Sequence, residues 1–249
     1  MDSIPDDLLE LQARFDQWRA NRKYNREPIP DQLRDAALEM SRRYPSSLLR
    51  PAAPLHFTEE PVMNLFHRWF CRTSFWKKAL ANKIIPWALK DVELGDDVLE
   101  VGPGPGMTTD ILRDRTPRLT SIEIDPRLAD ALKYRLQNTN VTVVEGDATA
   151  MPFADGSFSG AVSFTMLHHV PSPALQDRLL AEVYRVLKPG GLFAGSDSRW
   201  SVGFRLIHLW DTMVIVKPET FAARLAAVGF TDVSVKVAKQ AFRFRARHP

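Results

Sequence analysis

The sequence predicts an α/β protein built on a doubly wound, mostly parallel seven-stranded sheet, with an N-terminal helical extension. Three observations carry that expectation. The apolar run Asp97 to Val101 breaks into Gly102-Pro103-Gly104-Pro105-Gly106, and glycines let the backbone turn sharply and approach a ligand with no Cβ in the way. A second apolar run, Leu119 to Ile124, places Glu123 seventeen positions beyond Gly106, where a doubly wound fold sets an acid to accept hydrogen bonds from ribose hydroxyls. Strand-like runs then alternate with helix-like ones toward the C-terminus, the pattern of a parallel sheet flanked by helices.

Each element follows in order. After the glycine elbow, Met107 to Arg113 is expected to open a helix whose N-terminus faces the ligand. Asp125 and Pro126 suit the N-cap and first turn of a helix behind the second strand. A third strand, Val141 to Val144, ends in Glu145-Gly146-Asp147-Ala148, and a fourth, Gly160 to Phe164, ends in Thr165-Met166-Leu167-His168-His169-Val170. A helix over 174–187 closes on Lys188-Pro189-Gly190-Gly191 before a fifth strand, Leu192 to Ser196. Past a mixed apolar segment, Ser201 to Val216, a helix from Pro218 stops at Gly229, and two strands follow, Asp232 to Val237 and Ala241 to Arg245. In the last strand Phe242, Arg243, Phe244 and Arg245 alternate, so the arginines share one face, expected as a solvated strand end.

From about residue 91 onward these motifs match, in order and spacing, those of a family: the chain resembles a class I S-adenosylmethionine-dependent methyltransferase. The residues that carry the likeness are the Glu-x-Gly-x-Gly-x-Gly loop from Glu100, the acid Glu123, Gly146-Asp147-Ala148 with Met151-Pro152-Phe153 behind it, Leu167-His168-His169-Val170, and Arg185-Val186-Leu187-Lys188-Pro189-Gly190-Gly191. The resemblance implies S-adenosyl-L-methionine as cofactor. It implies that Glu100 and the loop of Gly102, Gly104 and Gly106 hold the amino-acid end and Glu123 the ribose. Asp147 with the Ala148 backbone would read the adenine, and Thr165 and Met166 would line the other face. It also places the last strand antiparallel.

Neighbouring functions fit less well. A nicotinamide dehydrogenase fingerprint wants two residues after Gly104 and then Gly or Ala, whereas Met107 stands there and Gly106 comes one residue early. The Gly-Pro-Gly-Pro-Gly loop and Ile122-Glu123-Ile124-Asp125 are similar to those of ribosomal RNA dimethylating enzymes. Those enzymes, however, grip a flipped base with Asn or Asp, then Pro and an aromatic, where this chain reads Ser163-Phe164-Thr165-Met166. Quinone-precursor O-methyltransferases carry Glu-His in place of His168-His169. The missing carboxylate argues against metal assistance, and no other His/Asp cluster has ligand spacing, so no metal is expected.

Methyl transfer from a sulfonium is an in-line displacement, so alignment and exclusion of water carry much of the rate. A hydroxyl or ammonium acceptor must also lose a proton, work that suits a histidine. His168 and His169 are the candidate bases. The alternative for the pair is structural, one ring packing under the cofactor and the other capping the loop.

Composition bounds the rest. The 249 residues suit one α/β domain plus an appendage, with 45% hydrophobic and 25% charged residues, ordinary for a soluble globule. A net charge of +3 is too small to argue for nucleic acid, although a pI near 9.1 permits an anionic partner. The single cysteine, Cys71, excludes an internal disulfide. No signal-peptide pattern and no run of about eighteen apolar residues appears, which leads to the expectation of a cytoplasmic protein without a membrane span.

Three regions are expected. Residues 1–50 read as a hairpin of two charged helices, Asp6 to about Arg26 and Asp31 to about Tyr44, with nine Lys and Arg against nine Asp and Glu. Through Phe15-x-x-Trp18-Arg19 and Glu27-x-Ile29-Pro30-x-x-Leu33 this hairpin loosely resembles helical accessory proteins of insertion sequences, but a helical hairpin that packs on the main domain or dimerises accounts for it better. Residues 51–90, with Phe57, Phe66, Trp69, Phe70, Phe75, Trp76 and Trp87, read either as a lid shaping an apolar pocket or as cover for the sheet. Residues 91–249 form the cofactor domain. The function expected is methyl transfer to a small, apolar or aromatic acceptor. The alternatives are a cofactor-binding protein without turnover and a nucleic-acid methyltransferase guided by the N-terminal helices.

Overall fold

Strands covered on both faces are buried at successive positions, and the middle of this sheet is buried in that way, with the polar Glu100, Ser163 and Asp197 enclosed among apolar neighbours. The computed structural model describes residues 5–21, 30–43, 73–201 and 213–249, in two compact units, 1–60 and 61–249.

The first unit holds α1 (Asp6–Asn21) and α2 (Asp31–Arg43). Leu11, Phe15 and Leu33 are buried together with Trp18, Ala36 and Met40 around them, and Arg43 pairs with Asp7 at 3.2 Å, joining the last turn of α2 to the first of α1. Phe15, Trp18 and Leu33 therefore serve as hairpin packing. Pro28 and Ile29 lie outside the described residues.

The second unit opens with a helical stretch, α3 (Ser74–Ala79), a π-helical turn (Leu80–Ile84) and α4 (Ile85–Ala88), with Thr73 as N-cap. Then come β1 (Asp97–Val101), α5 (Thr109–Leu112), β2 (Arg118–Glu123), α6 (Pro126–Leu136), β3 (Val141–Glu145), β4 (Phe158–Phe164), α7 (Pro173–Val186), β5 (Leu187–Ser198), α8 (Pro218–Val228), β6 (Thr231–Val237) and β7 (Ala241–Arg247). The seven strands lie in the order β3-β2-β1-β4-β5-β7-β6. The first five pair in parallel and β7 is antiparallel to both neighbours, as the class I resemblance implies.

Alternation sorts the side chains into two layers. Leu99, Val101, Ala161, Phe193, Phe242 and Phe244 face the α7 and α8 side, with Leu179, Val183, Phe221 and Leu225. Val98, Leu119, Val162 and Phe164 face Leu80, Ile85 and Ala88 of the stretch over 74–88. The described part of the aromatic segment thus covers the sheet: Trp76 packs against this second layer, while Phe75 is 72% exposed. Phe57, Phe66, Trp69 and Phe70 lie outside the described residues.

Two elements differ from expectation. The helix expected over 107–113 shrinks to the four residues of α5, because Pro103, Pro105 and the three glycines consume the chain in turns before it. Lys188 to Gly191, expected as a turn, is drawn into β5, where Leu187 pairs with Phe158 and Gly190 N–H donates to the carbonyl of His248 at 2.9 Å. Elsewhere the punctuation holds. Asp125 caps α6 by accepting from the N–H groups of Arg127 and Leu128, and Gly229 ends α8 at φ 118°.

Candidate functional site

The carboxyl ends of β1, β2 and β4 bring most of the expected residues together. All three loop glycines sit in the left-handed region, at φ 69° (Gly102), 54° (Gly104) and 85° (Gly106), a conformation that excludes ordinary side chains. A Cβ on Gly102 would lie 2.2 Å from Cγ of Met166, so the residue after Thr165 packs directly on the loop. Gly106 is backed by Leu132 and Arg135 of α6. Arg135 pairs with Asp110 at 2.5 Å and reaches the Gly106 carbonyl at 3.4 Å, bracing the loop from behind.

Two carboxylates are buried beside this loop. Glu123, 6% exposed, accepts from Gly104 N–H at 2.9 Å and from Asp125 N–H at 2.9 Å, which puts loop and acid side by side. Each carboxylate oxygen has a second lone pair for a ligand hydroxyl. Glu100, 1% exposed, accepts from the hydroxyls of Thr108, Thr109 (2.7 Å) and Ser121 (2.7 Å). The structure therefore sets Glu100 under the loop as its clamp to α5 and β2, and leaves ligand contact to the loop itself. Burial pushes both carboxyls above their ordinary range, against the hydrogen bonds that pull them down. Among the described residues neither has a cationic partner.

Asp147 is exposed, and its Oδ1 accepts from Thr149 N–H at 2.8 Å in an Asx turn, while Ala148 is half-buried against the core. The loop that follows is tied to α7 by Arg185, which donates to Glu182, Asp155 and the carbonyls of Met151 and Phe153. Thr165 holds φ 49°, a strained conformation for a β-branched residue, and its N–H donates to the Ser196 carbonyl at 2.8 Å.

The two histidines part company. His168 is 1% exposed, and its Nδ1–H donates to Oδ1 of Asp197 at 2.5 Å, because a carboxylate can only accept. Its backbone N–H donates to Oδ2 of the same carboxylate at 3.1 Å. Asp197 is itself fully buried. His169 is half-buried, with its ring 4.2 Å from that of His168. The sequence reading missed Asp197 and Arg135. An acid inside the buried run of β5 was itself a signal, since a buried carboxylate needs a partner.

Among the described residues no helix is long and apolar enough to cross a membrane, and no three His, Cys, Asp or Glu side chains gather as metal ligands.

Comparison with known proteins agrees with this fold. Residues 99–195 match a family model described as a methyltransferase domain. An uncharacterized methyltransferase of Mycolicibacterium gilvum is 36% identical over 103 residues, 41% of this chain and 39% of that protein. The ribosomal RNA small subunit methyltransferase A of Bordetella pertussis is 34% identical over 141 residues, 51% of this chain and 52% of that one. The chain thus spans about half or less of these relatives. Phosphoethanolamine N-methyltransferase 2 of Haemonchus contortus, solved with S-adenosyl-L-methionine, shares the fold, with a TM-score of 0.60 at 16% identity over 79% of this chain and 58% of that one. Fold, loop and matched motifs converge: the chain carries a class I S-adenosylmethionine-dependent methyltransferase domain.

Proposed function

We propose that the chain moves the methyl group of S-adenosylmethionine to oxygen or nitrogen of a small apolar or aromatic acceptor, in the cytoplasm. The observation that carries the cofactor assignment is buried Glu123, held beside the glycine loop by the Gly104 N–H and, among the described residues, without a cationic partner. A buried carboxyl in that position favours a ligand that brings hydroxyl donors or positive charge and opposes one that brings a diphosphate. The loop, with Gly102, Gly104 and Gly106 all at left-handed φ, suits close backbone approach to a methionine tail. Bound there, the cofactor supplies an electrophilic methyl on sulfur. Glu123 receives the ribose hydroxyls, Asp147 and the Ala148 backbone the adenine, and Thr165 and Met166 line the side toward the acceptor.

A general base must reach the proton it removes. Half-buried His169 meets that condition better than enclosed His168, so His169 takes the base role, and His168, clamped by Asp197, positions it from beneath. The further aromatics of the sequence, Phe57, Phe66, Trp69 and Phe70, support an apolar acceptor, and a single cysteine suits a reducing compartment. Ribosomal RNA methylation is the activity in the name of the Bordetella relative, and the base-gripping motif expected for it lacks support at Ser163-Phe164-Thr165-Met166.

The test is transfer of labelled methyl to a panel of phenols and amines, with His169→Ala and His168→Ala alongside. We expect His169→Ala to lower kcat by about 10²–10⁴ without changing cofactor Kd, and to lose the acid limb of the pH profile. Loss of cofactor binding would make His169 structural. Tight cofactor binding with no transfer across the panel would leave a binding protein without turnover.

A further inference from the structure

The last strand pair does more than end the sheet. Arg243 and Arg245, expected as a solvated strand end, line an open cleft of about 40 Å³ with Lys90, Lys236, Ser234 and Asp91, and Arg245 is exposed as expected. Phe242, Phe244 and Ala246 face the α7 and α8 layer, so the arginines face the opposite side, toward the end of α4. Arg243 donates to the Trp87 carbonyl and lies 5.7 Å from the centre of the Trp87 ring, and Arg245 donates to the Asp91 carbonyl at 3.3 Å. Backbone carbonyls orient these guanidiniums without cancelling their charge. Among the described residues none of the four cations has a carboxylate within ion-pair distance, and Asp91 is the single acid of the lining, leaving three net positive charges. The wider region repeats the bias. Residues 74–94 and 231–249 hold nine Lys and Arg against three Asp and Glu, while the rest of the chain holds 24 against 27.

We propose that this cleft is an oxyanion site that takes a phosphate group. Unpaired guanidiniums held in a fixed geometry favour a planar or tetrahedral oxyanion, and three net charges match a doubly charged phosphate better than a carboxylate. The site is separate from the glycine loop. Arg243 pairs with Ser196, and Ser196 with Phe164, so it lies two strand spacings, about 10 Å, from the end of β4. The inference stands whether or not the chain transfers a methyl group.

The experiment is calorimetric titration of the full chain, without cofactor, with inorganic phosphate, phenyl phosphate and a ten-nucleotide oligouridylate at low and constant ionic strength. Lys236→Gln and Arg245→Gln remove one cation each at exposed or strand-edge positions, and Lys133→Gln, on α6, is the control. We expect saturable phosphate binding with a Kd of about 1 mM or tighter, weakened about tenfold in each cleft variant and unchanged in the control. Thermal melting confirms that the variants fold. Phosphate and phenyl phosphate binding alike, with no gain for the oligonucleotide, assigns the site to small phosphate esters. A gain of tenfold or more for the oligonucleotide, lost in the same variants, assigns it to a nucleic-acid backbone. No saturable phosphate binding up to about 10 mM, or equal affinity in wild type and both cleft variants, overturns the proposal.

Discussion

Among the described residues, Glu100 and Glu123 at the carboxyl ends of β1 and β2 are buried acids without a cation, and Lys236, Arg243 and Arg245 on β6 and β7 are bases without a carboxylate. A net charge of +3 averages two regions of opposite sign within one unit of the fold. The acids are enclosed, so their charge is felt strongly by whatever enters; the cations are closer to water, so theirs is partly screened. Each region lacks what its own ligand would bring. The electrostatics of such a protein is legible in where the unpaired groups lie rather than in their sum.

The largest expected break in that comparison is Glu123→Ala. The ribose hydroxyls lose a charge-assisted acceptor worth roughly 1.5 to 3 kcal/mol, about 10- to 150-fold in cofactor Kd by calorimetry. Unchanged affinity would remove Glu123 from the site. A pH series sharpens the point. A cationic ligand favours the ionised carboxyls, and burial has raised the pKa of both, so cofactor affinity is expected to fall as pH drops through a window above the ordinary carboxylate range. In Glu123→Ala the dependence should be shallower. Phosphate binding at the basic cleft should show no such loss in Glu123→Ala.

Glu100→Gln should act chiefly on the free protein. A carboxyl whose folded pKa is raised adds stability that is complete below its unfolded pKa and is lost as pH rises through the folded one. The amide escapes that loss while still bonding the Thr108, Thr109 and Ser121 hydroxyls. The variant should therefore melt higher than wild type at pH 7, with the gap closing as pH falls. A lower melting temperature at pH 7 would mean that the three hydroxyl bonds outweigh the cost of the buried charge.

How much of this was legible in advance divides along the same line. The succession of elements and the glycine loop followed from local chemistry, glycines suited to left-handed φ, an Asp-Pro helix start and Gly229 as a stop, while the antiparallel last strand followed only from the family resemblance. The acids at strand ends were readable because spacing in a doubly wound fold maps onto space. Asp197 was not, since its partner is 29 positions away and pairing across β4 and β5 depends on a register that periodicity does not encode. The cleft was hidden for a similar reason. Arg243 and Arg245 meet the Trp87 and Asp91 carbonyls from more than 150 positions away, and alternation alone says only that they share a face. The short α5 was misjudged because Met107 to Arg113 has helical composition, while the turns before it had already used the chain.

The smallest expected effect lies at the other end of β1. Asp97, three residues before Glu100, is held by Arg118, whose Nη2 donates at 2.9 Å, with Lys188 at 3.5 Å. The Arg118 guanidinium draws its carboxyl down from 3.8 to about 2, opposite in sign to Glu100 on the same strand. A depressed carboxyl contributes stability that is present above its unfolded pKa and lost as pH falls through the folded one. Wild type should therefore melt slightly above Arg118→Gln at pH 5 in low salt, with the gap closing between pH 3.8 and about 2. The pair is largely exposed, so added salt should shrink the gap toward nothing. A gap that persists at pH 2, or ignores salt, would show that Arg118 acts through packing instead. Paired and exposed, Asp97 changes little when its partner goes; buried and unpaired, Glu100 gains stability when its own charge goes, and the two melting series should run in opposite directions with pH.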